Sequence, residues 1–584
     1  MEADPQEITF DLAYLKRLYS EARDNTADAR KEADLCFDYY DNKQWTSAQI
    51  KVLRKRKQPE IWINRIAPAV NGILGVLEQG QTDPRAFPRT NADDNSSEVA
   101  TDALRYAAEK ARWQRTKLAA AKTYLIGGVG AVIVEVGEDG DPLPRMIRHG
   151  EFFYDPHSRD PDFEDARYMG IAKWMYVDAV EAWKPDAKIE LEKVTPTTVA
   201  FDDEDKPLNV WSDGKTNRVL VVELYINRNG WKQVVFYGGG VLSVAASPYQ
   251  DERGTPANPI IAQSCFVDRD NARYGIVKAM VPIQDEINMR RSKLLHQVNS
   301  RQVRQTDLSS AADAATVRDE AARPDGIIPF GYEPASTGDM AMGQINLLQE
   351  SKAELERMGP NPAVLGQGSS DASGRAQLVR QQAGLTELTP ALGGVEDLEL
   401  RVYRAMWCRI RQFWQEPKYV RVTDDVGAAK FLMVNEPVMG PPQVVMGPEG
   451  VPTIQPQVTY KNRPAEMDMD IIIDATADTA NVQQEQFAEL VKLAGIYGPQ
   501  EVPFDDLLKV SNLPRKRELI EQRETRKKEA AQGGEQGAQM QQMAFQVEME
   551  GKQAKTELDR AKTEQTQFET QIAAFQAGAQ LGAA

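Results

Sequence analysis

The sequence predicts an α+β chain in which long helices and antiparallel sheet alternate. Three observations carry that prediction. Apolar residues recur at three- and four-residue spacing near 7–45, 97–125, 274–303 and 376–414. Between these stretches lie short runs rich in valine, isoleucine and aromatics, bounded by Asp139-Gly140 and Asn229-Gly230. The 584 residues, 41% of them hydrophobic, are enough for roughly two to four core-bearing units.

Taken in order, Leu12, Leu15, Leu18 and Tyr19 give the first helix its apolar face, and Leu35, Phe37 and Tyr40 continue it to a turn anchored by Trp45. The basic run Lys51 to Lys57 reads as a solvated surface. Residues 67–80 form a small-residue helix, followed by a loop or strand over 82–90, and 97–125 is one further amphipathic helix. Strands then run from Val129 to Val136, through Phe152 to Pro156, near 168–177, from Arg218 to Tyr225 and from Trp231 to Tyr237.

From Tyr274 the period becomes helical again. Ile276, Met280, Ile283, Ile287, Leu294 and Val298 define one face of a long helix, which Pro282 kinks or restarts. About 40 irregular residues follow, then a helix from Leu347 to Met358 and a Gly/Ser-rich loop around 366–374. Residues 376–414 return to helix, divided at Pro390 and Gly393-Gly394. Strands fill 418–475. The chain then turns helical and, from Gln532, too polar to bury itself without partners.

The formal charge of −17 argues against wrapping nucleic acid by neutralising phosphates, although it suits a wall that a polyanion must slide past. Cys36, Cys265 and Cys408 are isolated and odd in number, which points to a reducing compartment. No run reaches the roughly 18–20 apolar residues of a membrane span, and the acidic opening MEADPQEITF lacks signal-peptide features. Synthesis in the cytoplasm is therefore expected.

Few residues offer chemistry. The three histidines are His149, His157 and His296; the first two flank Asp155 without a third convergent ligand. Gly127-Gly128-Val129-Gly130 lacks the lysine and hydroxyl of a phosphate-binding loop and reads as close backbone packing. The acid pairs Asp268/Asp270 and Asp468/Asp470 suit a divalent ion or plain solvation equally. No active site, cofactor or metal is expected.

Several stretches, taken in sequence, carry a likeness. They are Phe37 to Trp45, Asn64 to Pro68 with Asn71-Gly72-Ile73, Phe152 to Pro156, and Asp165 to Tyr168. Tyr274 to Lys293 and Pro362 to Ala376 complete the set. In this order they resemble the portal proteins of tailed bacteriophages, of the short-tailed type. That resemblance implies an N-terminal wing body over 1–273, a first stem helix over 274–303, a clip over 304–345 and a second stem helix over 346–358. It also implies a tunnel loop over 359–375, a long wing helix with wing strands over 376–480, and a C-terminal crown or helical barrel over 481–584.

It further implies no enzymatic activity. Twelve copies would form a ring at one capsid vertex of the virion, conducting double-stranded DNA without reading its sequence. The implied partners are the terminase large subunit, the major capsid protein and scaffold, and the tail adaptor or head-completion proteins; no membrane is involved. The tunnel-loop residues on this reading are Gly366, Gln367, Gly368, Ser369, Ser370, Ser373, Gly374 and Arg375. Lys278, Arg290, Arg291, Lys293, Arg301 and Arg304 are the candidate phosphate contacts, with an intersubunit ion pair or a solvated outer face as the competing role for each. A tail-tube or scaffold-associated virion component is the alternative function, and a nuclease built on the acid pairs is a more distant one.

Overall fold

The chain opens on α1 (Leu12–Asn25) and α2 (Ala27–Tyr40), which are separate helices rather than one continuous run. Thr26 divides them: its hydroxyl donates to the Ala22 carbonyl at 2.7 Å and accepts from Arg30 Nε at 2.9 Å. A capping box opens α3 (Ser47–Lys55), where Thr46 and Gln49 satisfy each other's backbone N–H groups. Next come α4 (Ile66–Gln79), β1 (Thr82–Pro88), α5 (Asp94–Lys110) and α6 (Trp113–Gly127). The sequence expects one helix over 97–125. Arg112 breaks it by adopting a left-handed φ of 52°, so that α5 lies on β1 while α6 buries Trp113, Tyr124 and Leu125 in the interior.

The strands β2 (Val129–Val136) and β3 (Pro142–Ile147) form a hairpin about Asp139-Gly140. After them run β4 (Phe152–Tyr154), β5 (Tyr168–Tyr176), α7 (Val177–Trp183), β6 (Ser212–Asp213), β7 (Arg218–Asn227), β8 (Trp231–Tyr237) and β9 (Gly240–Ala246). The larger sheet has the antiparallel order β4-β5-β7-β8-β9, with β6 also on β7. The smaller adds β10 (Ile260–Ser264) to β2 and β3, and β11 (Phe266–Val267) pairs with β12 (Arg273–Tyr274).

The second half begins with α8 (Val277–Asn299), then β13 (Val303–Gln305), α9 (Ala314–Ala321), β14 (Tyr332–Pro334), α10 (Gly338–Met358) and α11 (Gly374–Phe413). Two-stranded ladders close it: β15 (Lys418–Thr423) with β16 (Ala429–Val434), β17 (Glu436–Met439) with β20 (Val458–Lys461), and β18 (Gln443–Met446) with β19 (Pro452–Gln455). Last, β21 (Met469–Ala475) returns to pair with β1 in antiparallel register, Ala86 opposite Ile471.

The computed structural model describes residues 10–475 and 490–493, apart from 81, 90–93, 186–188, 190–210, 214–215, 300–302, 308–312, 322, 324, 335–337, 360–373, 424–428, 440–442, 447–451 and 456–457. The chain divides into units at Met1–Thr476 and Ala477–Ala584. Of the second, 490–493 form one helical turn, and the expected crown or barrel otherwise lies outside the described residues.

The expected division of α11 does not occur: the helix runs unbroken through Pro390 and Gly393-Gly394. An interior proline costs about 3 kcal/mol. Beyond it, Val395, Leu398, Val402, Tyr403, Met406 and Ile410 all lie buried at helical spacing. At about 1.5–3 kcal/mol for each large apolar side chain, that burial wins. Gly394 permits the crossing with α6, because a Cβ there would lie 2.2 Å from the Tyr124 hydroxyl. Gly128 is fixed similarly: its φ is +91°, and a Cβ would meet the Tyr274 backbone at 2.4 Å. The glycine run is therefore a packing device.

Candidate functional site: the helices α8 and α10 and the segment strapped to them

The helices α8 and α10 pack side by side, and the chain between them, 300–337, leaves one and returns to the other. Pro282 sits inside α8 with its ring exposed and does not interrupt it. The face that α8 buries differs from the apolar one read in the sequence. Val277, Met280 and Ile287 are buried, but so are Gln284, Asn288 and Ser292, while Ile276, Ile283 and Leu294 are only partly covered. Val298 lies among side chains outside the described residues.

The three polar residues stand one helical turn apart and hydrogen-bond an extended segment, 59–65, as a neighbouring strand would. Gln284 donates to the Ile63 carbonyl at 2.9 Å and accepts from the Arg65 N–H at 3.2 Å. Asn288 accepts from the Ile63 N–H at 3.3 Å and donates to Gln44 at 2.7 Å. The Ser292 hydroxyl donates to the Pro59 carbonyl at 2.6 Å. Arg65 then reaches α10, pairing with Glu356 at 2.6 Å, and the Tyr39 hydroxyl donates to Asp285. Burial raises the Asp285 carboxyl above its ordinary range, and the hydrogen bond from Tyr39 opposes the rise. The sequence reading missed this ladder; its signal was Gln284, Asn288 and Ser292 at four-residue spacing. On the outer side, a groove of about 490 Å³ is lined by Asp285, Glu286, Met289, Arg290, Lys293 and Gln344.

No catalytic constellation emerges elsewhere among the described residues. His149 packs on the Phe37 ring at 5.4 Å, whereas His157 is 79% exposed, so the two do not converge. His296 is half-buried. No group of His, Cys, Asp and Glu suited to a metal ion occurs among the described residues. Asp268 closes a turn by accepting from the Asp270 and Ala272 N–H groups. Asp468 and Asp470 face Arg89 at 3.2 and 3.9 Å. All three cysteines are buried, and burial pushes their thiols up to about 11 or 12. No helix is long and apolar enough to cross a membrane among the described residues.

A family model for phage P22-like portal proteins matches residues 16–580. The chain belongs to that family. It is a structural component of the virion and not an enzyme. A curated relative, the portal protein of Helicobacter pylori bacteriophage KHP30, is 20% identical over 415 residues, or 68% of this chain. The match spans 66% of that relative, just under two thirds of its length.

In this portal protein the six candidate phosphate contacts have different surroundings. Lys278 pairs with Glu32 on α2 at 2.8 Å, and that hydrogen bond raises its ammonium above the ordinary range. Arg290 pairs with Glu286 at 2.5 Å. Arg291 is half-buried, and its Nε has no hydrogen-bond partner among the described residues. Lys293 and Arg304 are exposed, whereas Arg301 lies outside the described residues. Of the tunnel-loop residues, Gly366, Gln367, Gly368, Ser369, Ser370 and Ser373 also lie outside them. Gly374 and Arg375 open the backbone of α11. The portal's α10 begins at Gly338, inside the stretch expected as clip.

Proposed function

We propose that the chain assembles as a dodecameric ring at a single capsid vertex, and that double-stranded DNA passes through its channel during packaging and ejection. The observation that carries this reading is the packed α8–α10 pair with the elements β13, α9 and β14 inserted between them in the chain. Two such helices from each copy, set around an axis by a heterologous interface that closes, make a hollow collar. On this reading the wing body is 1–273, the clip is 304–345, running into the start of α10, and the tunnel loop is 359–375, leading into α11.

Charge supports a conduit. At −17 per copy, twelve copies carry about −200, which keeps a polyanion from adhering. Lys293 and Arg304, exposed and without an ion-pair partner among the described residues, are the better candidates for phosphate contact. Lys278 and Arg290 are already neutralised. In the clip, Ile327 and Phe330 are 81% and 89% exposed. Large apolar side chains so placed suit a docking surface for the terminase large subunit and then the tail adaptor. The major capsid protein and scaffold complete the partners, and the protein is made in the host cytoplasm. Negative-stain micrographs of the purified protein test the assembly: rings with a central hole are expected, and a field of monomers overturns it.

A further inference from the structure

A small cavity of about 30 Å³ lies where α2, the end of α6, β4 and β12 meet. Arg30, His149 and Arg273 line it together with Thr26, Phe152 and Tyr154. We propose that this cavity binds one monatomic anion, chloride in ordinary solution, which pins α2 to the sheet and to the lead-in of α8.

The argument rests on what the cations lack. Arg30, half-buried, gives Nε to the Thr26 hydroxyl at 2.9 Å and Nη2 to the Phe152 carbonyl at 2.8 Å, and turns its remaining nitrogen, Nη1, toward solvent with no protein acceptor among the described residues. Arg273, 3% exposed, donates to neutral acceptors among the described residues, the Ser264 and Ser158 hydroxyls, the Asn271 side chain and the Ser158 and Asp160 carbonyls, and lies over the Tyr154 and Phe163 rings at 4.9 and 4.3 Å. The His149 Nε2 is buried without a hydrogen bond among the described residues, as is the Nε of Arg23 on the adjoining α1.

The carboxylate at this corner is Asp34, 71% exposed and 3.7 Å from His149 Nε2. On the far side of Arg273, the Asp165 carboxylate accepts from the Ser158 hydroxyl and the Arg159 and Asp160 N–H groups and acts on Arg273 through its charge alone, without a direct hydrogen bond. Burying cations against neutral acceptors is costly, and an anion relieves it. The electrostatics agree. Burial, then Arg23, push the Arg30 guanidinium down to about 10, and burial with Arg30 and Arg23 holds His149 down to about 4.

Size sets the ligand class. About 30 Å³ admits one water-sized body. A halide fills that space, whereas a sulfate or phosphate would stand partly outside it, in the open mouth of the site. A bound water is the rival occupant, and it would leave the charge unrelieved.

The test uses the full-length protein. Its melting temperature is followed in sodium chloride, sodium bromide and sodium gluconate at equal ionic strength, and bromide-soaked crystals are examined for anomalous density. Chloride and bromide should raise the melting temperature over gluconate, by on the order of 1–3 °C per tenfold increase in halide above half-saturation. Half-saturation should fall below about 0.15 M, the physiological ionic strength. Bromide should appear beside Arg30 and His149. Arg30→Met should abolish the halide increment; if that variant does not fold, His149→Gln should weaken it. Equal melting temperatures in all three salts, or a water at the site with no bromide density, overturns the proposal.

Discussion

Lys117 on α6 and Glu399 on α11 form an ion pair sealed inside the protein. The ammonium lies 3.1 and 3.2 Å from the two carboxylate oxygens, with 3% and 2% of the side chains exposed. Thr82 adds an acceptor for the ammonium at 3.4 Å. The pair sets the register of α11 against α6, close to where Trp113 meets Tyr403 edge-on. Such a pair roughly offsets its own desolvation, so its worth shows only when one partner is removed. Lys117→Met should lower stability by about 3–5 kcal/mol in urea unfolding. Lys117→Met with Glu399→Leu should recover most of that loss. A double variant as unstable as the single one would mean the site tolerates no apolar replacement.

Gly394 sets two opposing effects against each other. Alanine is favoured over glycine within a helix by about 1 kcal/mol. Here its Cβ would stand 2.2 Å from the Tyr124 hydroxyl and 3.0 Å from the ring carbon bearing it, and both helices are packed at the crossing. Overpacking of this kind costs about 1–3 kcal/mol, so the clash wins and Gly394→Ala destabilises. Tyr124→Phe removes the nearest atom and should restore part of the loss. Additive effects in the double-mutant cycle would place the cost of Gly394→Ala elsewhere.

Legibility in the sequence followed the range of the interaction. The helices over 277–299 and 374–413 were visible because their period is local, and the β2–β3 hairpin because Asp139-Gly140 marks its turn. The pairing of β1 with β21 was not, since Ala86 and Ile471 share no local signal. The break at Arg112 was hidden too, because nothing in a periodic pattern announces one left-handed arginine. Pro390 misled in the other direction: local propensity argued for a break, and the buried stripe beyond it overrode that. At the site, an apolar period identified α8 but not its buried face, because Gln284, Asn288 and Ser292 score as polar while serving as interior. The candidate cations were found by charge alone, which does not reveal that Lys278 already holds Glu32.

The ladder on α8 predicts a local opening. Asn288→Leu removes the acceptor for the Ile63 N–H and the donor to Gln44, both on buried or half-buried groups. At about 1–3 kcal/mol for each unsatisfied group, a total loss of about 2–4 kcal/mol is expected. Segment 59–65 should then detach more often, carrying the adjoining Lys55, Arg56 and Lys57 with it. Trypsin should cleave there several-fold faster while cutting elsewhere at an unchanged rate. Uniform acceleration at all sites would mean that the variant loosens the whole fold.

Acid should weaken the corner occupied by His149. In halide-free buffer, burial and the neighbouring Arg30 and Arg23 hold the folded imidazole down to about 4, against about 6.5 for an unfolded chain. The cationic Arg273 lines the same cavity, and the carboxylates of Asp34 and, one turn on, Asp38 lie on the solvent side. Between those two pH values the unfolded chain takes up a proton that the folded protein refuses. This contribution to stability is complete above pH 6.5, declines as pH falls toward 4, and changes no further below it. The full loss is about 3 kcal/mol at most. Carboxylates titrate in the lower part of the same window, so the measured quantity is the difference between the wild type and His149→Gln in urea midpoints across pH 4–7. The variant should lack the decline between pH 6.5 and 5. Chloride should shrink the same decline in the wild type, because an anion beside the imidazole favours its protonated form. A wild-type profile that matches the variant in gluconate would mean that the folded imidazole takes up its proton as readily as the unfolded one, and that burial does not hold it down.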